Sequence, residues 1–196
     1  MKILYLSLLL IICPNAFATK TNSPIIKQVE NYFSSFENLQ AKFTQNGQDQ
    51  TRSGILYITK PGKFRWEYSD GKLLIVSTGD TIIYADHELE TTHYISADDT
   101  VADMLSHEKL DLTNGDYKVD HIVANHGEIS VLIHNSKKED IGKLNLIFGI
   151  NPFTLKRIEI IDTANNLVEI ELSEVSYPEK LDPELFNYYE DHNKRW

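Results

Sequence analysis

The stretch Leu56-Tyr57-Ile58-Thr59-Lys60-Pro61-Gly62-Lys63-Phe64-Arg65-Trp66-Glu67-Tyr68 reads as two strands around a tight turn. At Pro61-Gly62 proline presets φ and glycine accepts a positive one, which is the chemistry a reverse turn needs. Successive side chains of a strand point to opposite faces. Phe64, Trp66 and Tyr68 therefore share one face and Arg65 and Glu67 the other. On the first strand Leu56, Ile58 and Lys60 share a face, so a cation ends a row of aliphatic residues.

Outward from this hairpin the same period of two continues. Leu39, Ala41 and Phe43 alternate with Gln40, Lys42 and Thr44, the pattern of a half-buried strand. Turn signals recur at Asn46-Gly47, Asp70-Gly71, Gly79-Asp80, Asn114-Gly115, His126-Gly127 and Asn165-Asn166. About eleven strands are predicted between them, near 39–46, 53–60, 63–69, 72–78, 81–86, 89–95, 117–124, 128–134, 143–149, 154–162 and 167–175. Short connections make consecutive strands antiparallel neighbours in one large meandering sheet.

Helices are scarce. Ser23 can cap a first one, Pro24 suits its first position, and Ile25, Val29, Tyr32, Phe33 and Phe36 recur at helical spacing. A second, of one or two turns, is expected near 98–106, capped by Asp98, Asp99 or Thr100 and carrying the stripe Val101, Met104 and Leu105. So large a sheet needs a second layer, and two helices supply little of one. The rings fill an ordinary sandwich core, or the sheet closes into a barrel, or it curls into an open half-barrel lidded by the helices. Barrel and half-barrel both leave inward aromatic surface facing a cavity suited to apolar ligands.

The N-terminus addresses the chain for export. Lys2, the apolar run Ile3 to Ile12, Pro14 and Ala16-Phe17-Ala18 make a signal peptide over residues 1–18, with cleavage expected after Ala18 and a single domain over 19–196. Cys13, the one cysteine, lies within the peptide, so the mature chain holds itself together without disulfides. The whole chain has 19 Lys+Arg against 29 Asp+Glu; without Lys2 the balance is 18 against 29, a net charge of −11. Such a surface repels phosphate backbones and argues against nucleic acid. It suits basic partners or solubility alone.

Catalytic patterns are not found. The seven histidines show no HExxH or similar metal spacing, there is no GxSxG elbow, and no thiol remains in the mature chain. Asp98-Asp99 reads as a helix cap and Lys137-Lys138-Glu139-Asp140 as a solvated hairpin tip. Asp182 and Pro183 can start a single turn through Phe186, with Phe186 packing inward. The expectation is a non-enzymatic protein without cofactor or metal.

Several segments, in the same order, resemble the outer-membrane lipoprotein carrier family, LolA. They are Leu39-Gln40-Ala41-Lys42-Phe43-Thr44-Gln45, Gly54-Ile55-Leu56-Tyr57, Lys60 to Tyr68, Leu74-Ile75-Val76-Ser77 and Leu181-Asp182-Pro183-Glu184-Leu185-Phe186. The likeness spans nearly the whole mature chain. It implies a mainly β (α+β) fold, an unclosed antiparallel half-barrel with a helical lid. It implies a periplasmic carrier, expected as a monomer, that takes lipoproteins from an inner-membrane ABC transporter to an outer-membrane receptor. The implied groove for acyl chains is lined by Phe43, Leu56, Ile58, Phe64, Trp66, Tyr68, Leu74 and Val76, under a lid that includes Val101, Met104 and Leu105. Well-known members carry an arginine before the hairpin proline that bonds to lid backbone; here Lys60 stands there as the expected lid latch, a point charge without the planar fork. The alternative is a binder or sensor of other lipids or small apolar molecules on the same scaffold.

Overall fold

Strands with one greasy face, joined by turns of a few residues, must pair antiparallel and then bury that face. The computed structural model describes residues 24–47 and 50–189. Its strands are β1 Asn38–Asn46, β2 Thr51–Thr59, β3 Lys63–Tyr68, β4 Leu73–Thr78, β5 Thr81–Asp86, β6 Thr91–Ser96, β7 Tyr117–Asn125, β8 Glu128–Asn135, β9 Lys143–Ile150, β10 Phe153–Ile161 and β11 Leu167–Ser176. All eleven expected strands are found close to their expected bounds. The expected signal peptide and the cap at Ser23 lie outside the described residues.

The strands form one sheet in the order β6-β5-β4-β3-β2-β1-β11-β10-β9-β8-β7. Two meanders, β1–β6 and β7–β11, are thus joined where the first and last strands pair antiparallel, Phe43 opposite Leu172. The outermost strands β6 and β7 are not paired with each other, so the sheet is unclosed. Register carries the hairpin's greasy face across the first meander: Leu39 lies opposite Ile58, Ile58 opposite Phe64, Leu56 opposite Trp66. In the second meander Leu146 lies opposite both Val131 and Ile158. These residues belong to a single buried apolar cluster on the inner face.

Two pieces of chain cover that face. Helix α1, Pro24–Ser34, buries Ile26, Val29, Tyr32 and Phe33. Its Tyr32 ring meets Phe148 of β9 edge-on at 5.3 Å and Phe153 of β10 at 6.3 Å. The second piece is the connection 97–116 from β6 to β7, which begins as 3₁₀ turns over Ala97–Asp99 and Val101–Ser106. The latter buries Val101, Met104, Leu105 and Ser106 and packs against β2 and β9.

Three local expectations are corrected here. The short helix expected near 98–106 is present as 3₁₀ turns that bury Val101, Met104 and Leu105, but no side chain caps it, neither Asp98 nor Asp99. The flanking residue is Thr100, whose hydroxyl instead donates back to the Ala97 carbonyl at 3.2 Å. The 137–140 tip is not simply solvated, because the Lys138 ammonium donates to the Asp98 carbonyl at 2.9 Å and to Asp99 at 3.4 Å. The turn Pro183–Phe186 forms, with the Asp182 carboxylate accepting from the Glu184 amide, but Phe186 does not pack inward. It is buried on the outer face, where its turn lies against β3 and β4 and the Arg65 guanidinium donates to the Leu185 carbonyl at 3.1 Å.

One glycine shows how tightly the inner face is assembled. Gly54 on β2 sits between Phe43 and Tyr68 in register. A Cβ there would lie 2.1 Å from the Glu67 carbonyl oxygen and 2.7 Å from the Phe43 ring. Backbone cannot yield as a side-chain tip can, so Gly54→Ala is expected to destabilise the protein by about 2 kcal/mol or more, in line with overpacked cores. Urea denaturation monitored by circular dichroism measures it.

Candidate functional site: an apolar interior under a tied cover

The inner face is a dense array of rings and branched chains. Phe43 on β1 meets Trp66 at 5.2 Å and Tyr68 at 5.0 Å, both edge-on, the arrangement the ring quadrupole favours. The Tyr68 hydroxyl donates to Gln45 Oε1 at 2.5 Å, and burial pushes its pKa up to about 12, so it stays a neutral donor. Phe43, Leu56, Ile58, Phe64, Trp66 and Tyr68 all lie in the interior cluster, together with Val101, Met104 and Leu105 of the cover. Each is at most 6 % exposed, so in this closed arrangement the rings are shielded from solvent by the protein's own side chains.

Leu74 and Val76 do not belong with them. Trp66 lies opposite Ile75 and Phe64 opposite Ser77, whereas Val76 faces Arg65 and Leu74 faces Glu67. Leu74 and Val76 are therefore on the outer face. Val76 is fully buried there, but outside the interior cluster. Leu73 to Val76 is an unbroken apolar run, buried from both sides, and such a run carries no period to reveal which side is which. The residues that take their place inside are Ile75, Ile82 and Tyr84. Counting register across the four residues between Tyr68 and Leu73 is the signal that would have found them.

The cover is held by a few polar ties. Lys60, at the end of β2, is only 7 % exposed; its ammonium lies 4.0 Å above the Phe36 ring and donates to the Phe33 carbonyl oxygen. Phe33 belongs to the last turn of α1, whose final carbonyls lack partners within the helix and carry the negative end of its dipole. That turn has no basic residue of its own. Lys60 supplies the missing cation from a neighbouring strand, so its partner is α1 rather than the 98–106 turns. Those turns are tied separately, the Gly62 amide donating to the Ser106 carbonyl at 2.8 Å. A third tie was not foreseen: the Glu30 carboxylate of α1 accepts from the Leu112 amide at 2.9 Å. At the end of the turns His107 pairs with Asp103 at 2.9 Å, and that hydrogen bond raises the imidazole pKa.

Fold and interior together define a class of protein: an unclosed antiparallel half-barrel whose apolar concavity is covered by one helix and short turns. Among the described residues no cluster of His, Cys, Asp and Glu is placed to hold a metal ion, and no helix is long and apolar enough to cross a membrane. The sequence model of the family described as "Outer membrane lipoprotein carrier protein LolA" matches residues 34–189, and the chain belongs to that family. It is 27% identical over 195 residues to the outer-membrane lipoprotein carrier protein of Methylococcus capsulatus, covering 94% of this chain and 92% of the relative. It is 28% identical over 200 residues to that of Legionella pneumophila strain Corby, covering 96% and 95%. Among solved structures, the LolA superfamily protein NE2245 of Nitrosomonas europaea aligns with a TM-score of 0.47 at 8% identity, over 83% of this chain and 97% of that one.

Burial pushes the Lys60 pKa down from 10.5 to about 8. Between those values the unfolded chain holds a proton on Lys60 that the folded chain has released, so stability rises with pH across that window. Below pH 8 the folded protein bears the full cost of a desolvated ammonium. Relative to Lys60→Met, the wild type is expected to gain stability between pH 8 and pH 10.5, by at most ~3 kcal/mol. Paired thermal melts over that range check it; parallel curves would show that Lys60 is solvated.

Proposed function

We propose that this protein is a periplasmic carrier that holds the acyl chains of lipoproteins against the inner face of its half-barrel. It receives them from an inner-membrane ABC transporter and passes them to an outer-membrane receptor, without catalysing a reaction. The observation that carries the reading is an extensive ring-lined apolar interior, in a chain of the lipoprotein carrier family, closed off by an 11-residue helix and 3₁₀ turns rather than by a second sheet.

The physical case is an exchange. Hydrocarbon in water costs roughly 0.8 kcal/mol per CH₂, so acyl chains do not cross an aqueous compartment bare. An empty open groove would expose a large apolar patch and invite aggregation. Closing α1 and the 97–106 turns over the rings hides the groove, and cargo then replaces cover contacts with lipid contacts in a near-balanced trade. Lys60 sets part of that balance as the proposed latch. The groove is formed by Phe43, Leu56, Ile58, Phe64, Trp66 and Tyr68, with Ile75, Ile82 and Tyr84 completing the wall.

The decisive experiment is to purify the exported protein from a cell's soluble envelope fraction and identify what elutes with it. Triacylated lipoproteins support the carrier reading; free lipids alone, or nothing, would sink it, and free lipids would favour a binder or sensor of other apolar molecules. Two substitutions separate the faces of the sheet. Trp66→Ala is expected to cut capture of a triacylated lipopeptide at least tenfold. Val76→Ala, on the outer face, is expected to cost about 2 kcal/mol of stability and leave capture within twofold of wild type.

A further inference from the structure

The flank of α1 and the segment 109–114 face each other across an open cleft of about 690 Å³. One wall carries Ile26, Glu30 and Asn31, the other Leu110, Thr113 and Asn114. Its rim is polar. Its floor is not: Ile26 and Leu110 line the cleft and also belong to the buried interior cluster. Through Ile26 and Leu110 the cleft is continuous with the buried apolar cluster to which the rings also belong.

The two walls are unequally anchored. The C-terminal half of α1 is fixed by aromatic packing and by Lys60: Tyr32 meets Phe148 and Phe153, and the Phe36 ring lies 5.4 Å from Tyr177. In the helix's first turns Ile26 and Val29 are buried and Ile25 packs against the same cluster. Opposite them, 109–114 holds its own shape, with the Asp111 carboxylate accepting from the amides of Thr113 at 3.0 Å and Asn114 at 2.7 Å. Glu30 bridges the gap. Its Oε1 accepts from the Leu112 amide at 2.9 Å and from the Thr113 hydroxyl at 3.5 Å.

Resting on the carrier reading, we infer that acyl chains enter the interior through this cleft, and that Glu30 is the pin that keeps the portal shut. Hydrocarbon passes over Ile26 and Leu110 while the polar portion of the cargo stays at the hydrated rim. Opening swings the N-terminal end of α1 from 109–114 about its aromatic anchor, and breaks the Glu30 bonds first, ahead of the Lys60 latch.

A reversible staple tests the portal. Cysteines placed at Asn31 and Asn114, in a mature chain that has none, are bridged with a cleavable bis-maleimide. The probe is a fluorescent triacylated lipopeptide offered in detergent micelles. The bridged protein is expected to lose uptake and to regain it when the bridge is cut. Unimpeded uptake by the bridged protein would overturn the portal and leave the carrier reading standing. Failure of the unmodified wild type to take up the probe at all would overturn both. For the pin, Glu30→Ala is expected to speed uptake about tenfold or more at unchanged capacity, the size set by hydrogen bonds to a charged group. Glu30→Gln retains an acceptor and is expected to stay near the wild-type rate. Equal rates in all three proteins would remove Glu30 from that role, because a merely structural contribution lowers the melting temperature without changing the uptake rate.

Discussion

An unclosed sheet with a largely apolar inner face cannot stand open in water, and the structure is organised by that constraint. Pairing β1 with β11 joins two meanders into one continuous sheet and leaves β6 and β7 as separate edges. A barrel would have hidden the inner face by closure. Here concealment falls to α1 and the 97–116 connection, and the strength of their attachment decides how readily the interior is uncovered. Apolar packing supplies area without direction. The directional part comes from Lys60, Glu30 and the Gly62 amide, each joining cover to sheet or one part of the cover to the other.

Lys60 shows how such a tie sets electrostatic gain against the cost of burial. A helix C-terminus offers unpaired carbonyls and partial negative charge, so a cation placed there is favoured. Burying that cation between Phe33 and Phe36 is costly, which is why its pKa falls to about 8. Gain and cost offset one another, as they do for many buried charges. A tie of that kind specifies where the helix docks more than it strengthens the fold. An arginine would hold its charge at any working pH and grip with a planar fork; lysine gives a softer contact.

The outer face has its own logic. After β11 the chain runs back over the first meander, where the Pro183–Phe186 turn packs against β3 and β4 and the Tyr188 hydroxyl lies 3.1 Å from that of Thr92 on β6. The wall that bears Phe64 and Trp66 is thus braced from behind. Ion pairs elsewhere on that face, such as Lys42 with Glu174 at 2.7 Å, are solvated and add little.

Periodicity settled most of the fold in advance. Alternation in Leu39 to Phe43 and in Phe64 to Tyr68, with turn residues between runs, determined the strands, their antiparallel pairing and which residues share a face within each strand, because a strand's period of two is a local property. The helical spacing of Val29, Tyr32 and Phe33 likewise determined α1 and its greasy side, although the helix ends before Phe36. Contacts between distant segments were decided only in three dimensions. The unbroken run Leu73 to Val76 offers no period, so its inner and outer members were sorted by register. Lys60 could be seen to end an aliphatic row, but not to reach a helix carbonyl 27 residues away. Glu30 looks like any polar residue on an amphipathic helix until the chain returns at Leu112, 82 positions later, and presents its amide. Local patterns determine elements and faces; which groups meet across the interior depends on how the sheet curls, and no short stretch of sequence encodes that.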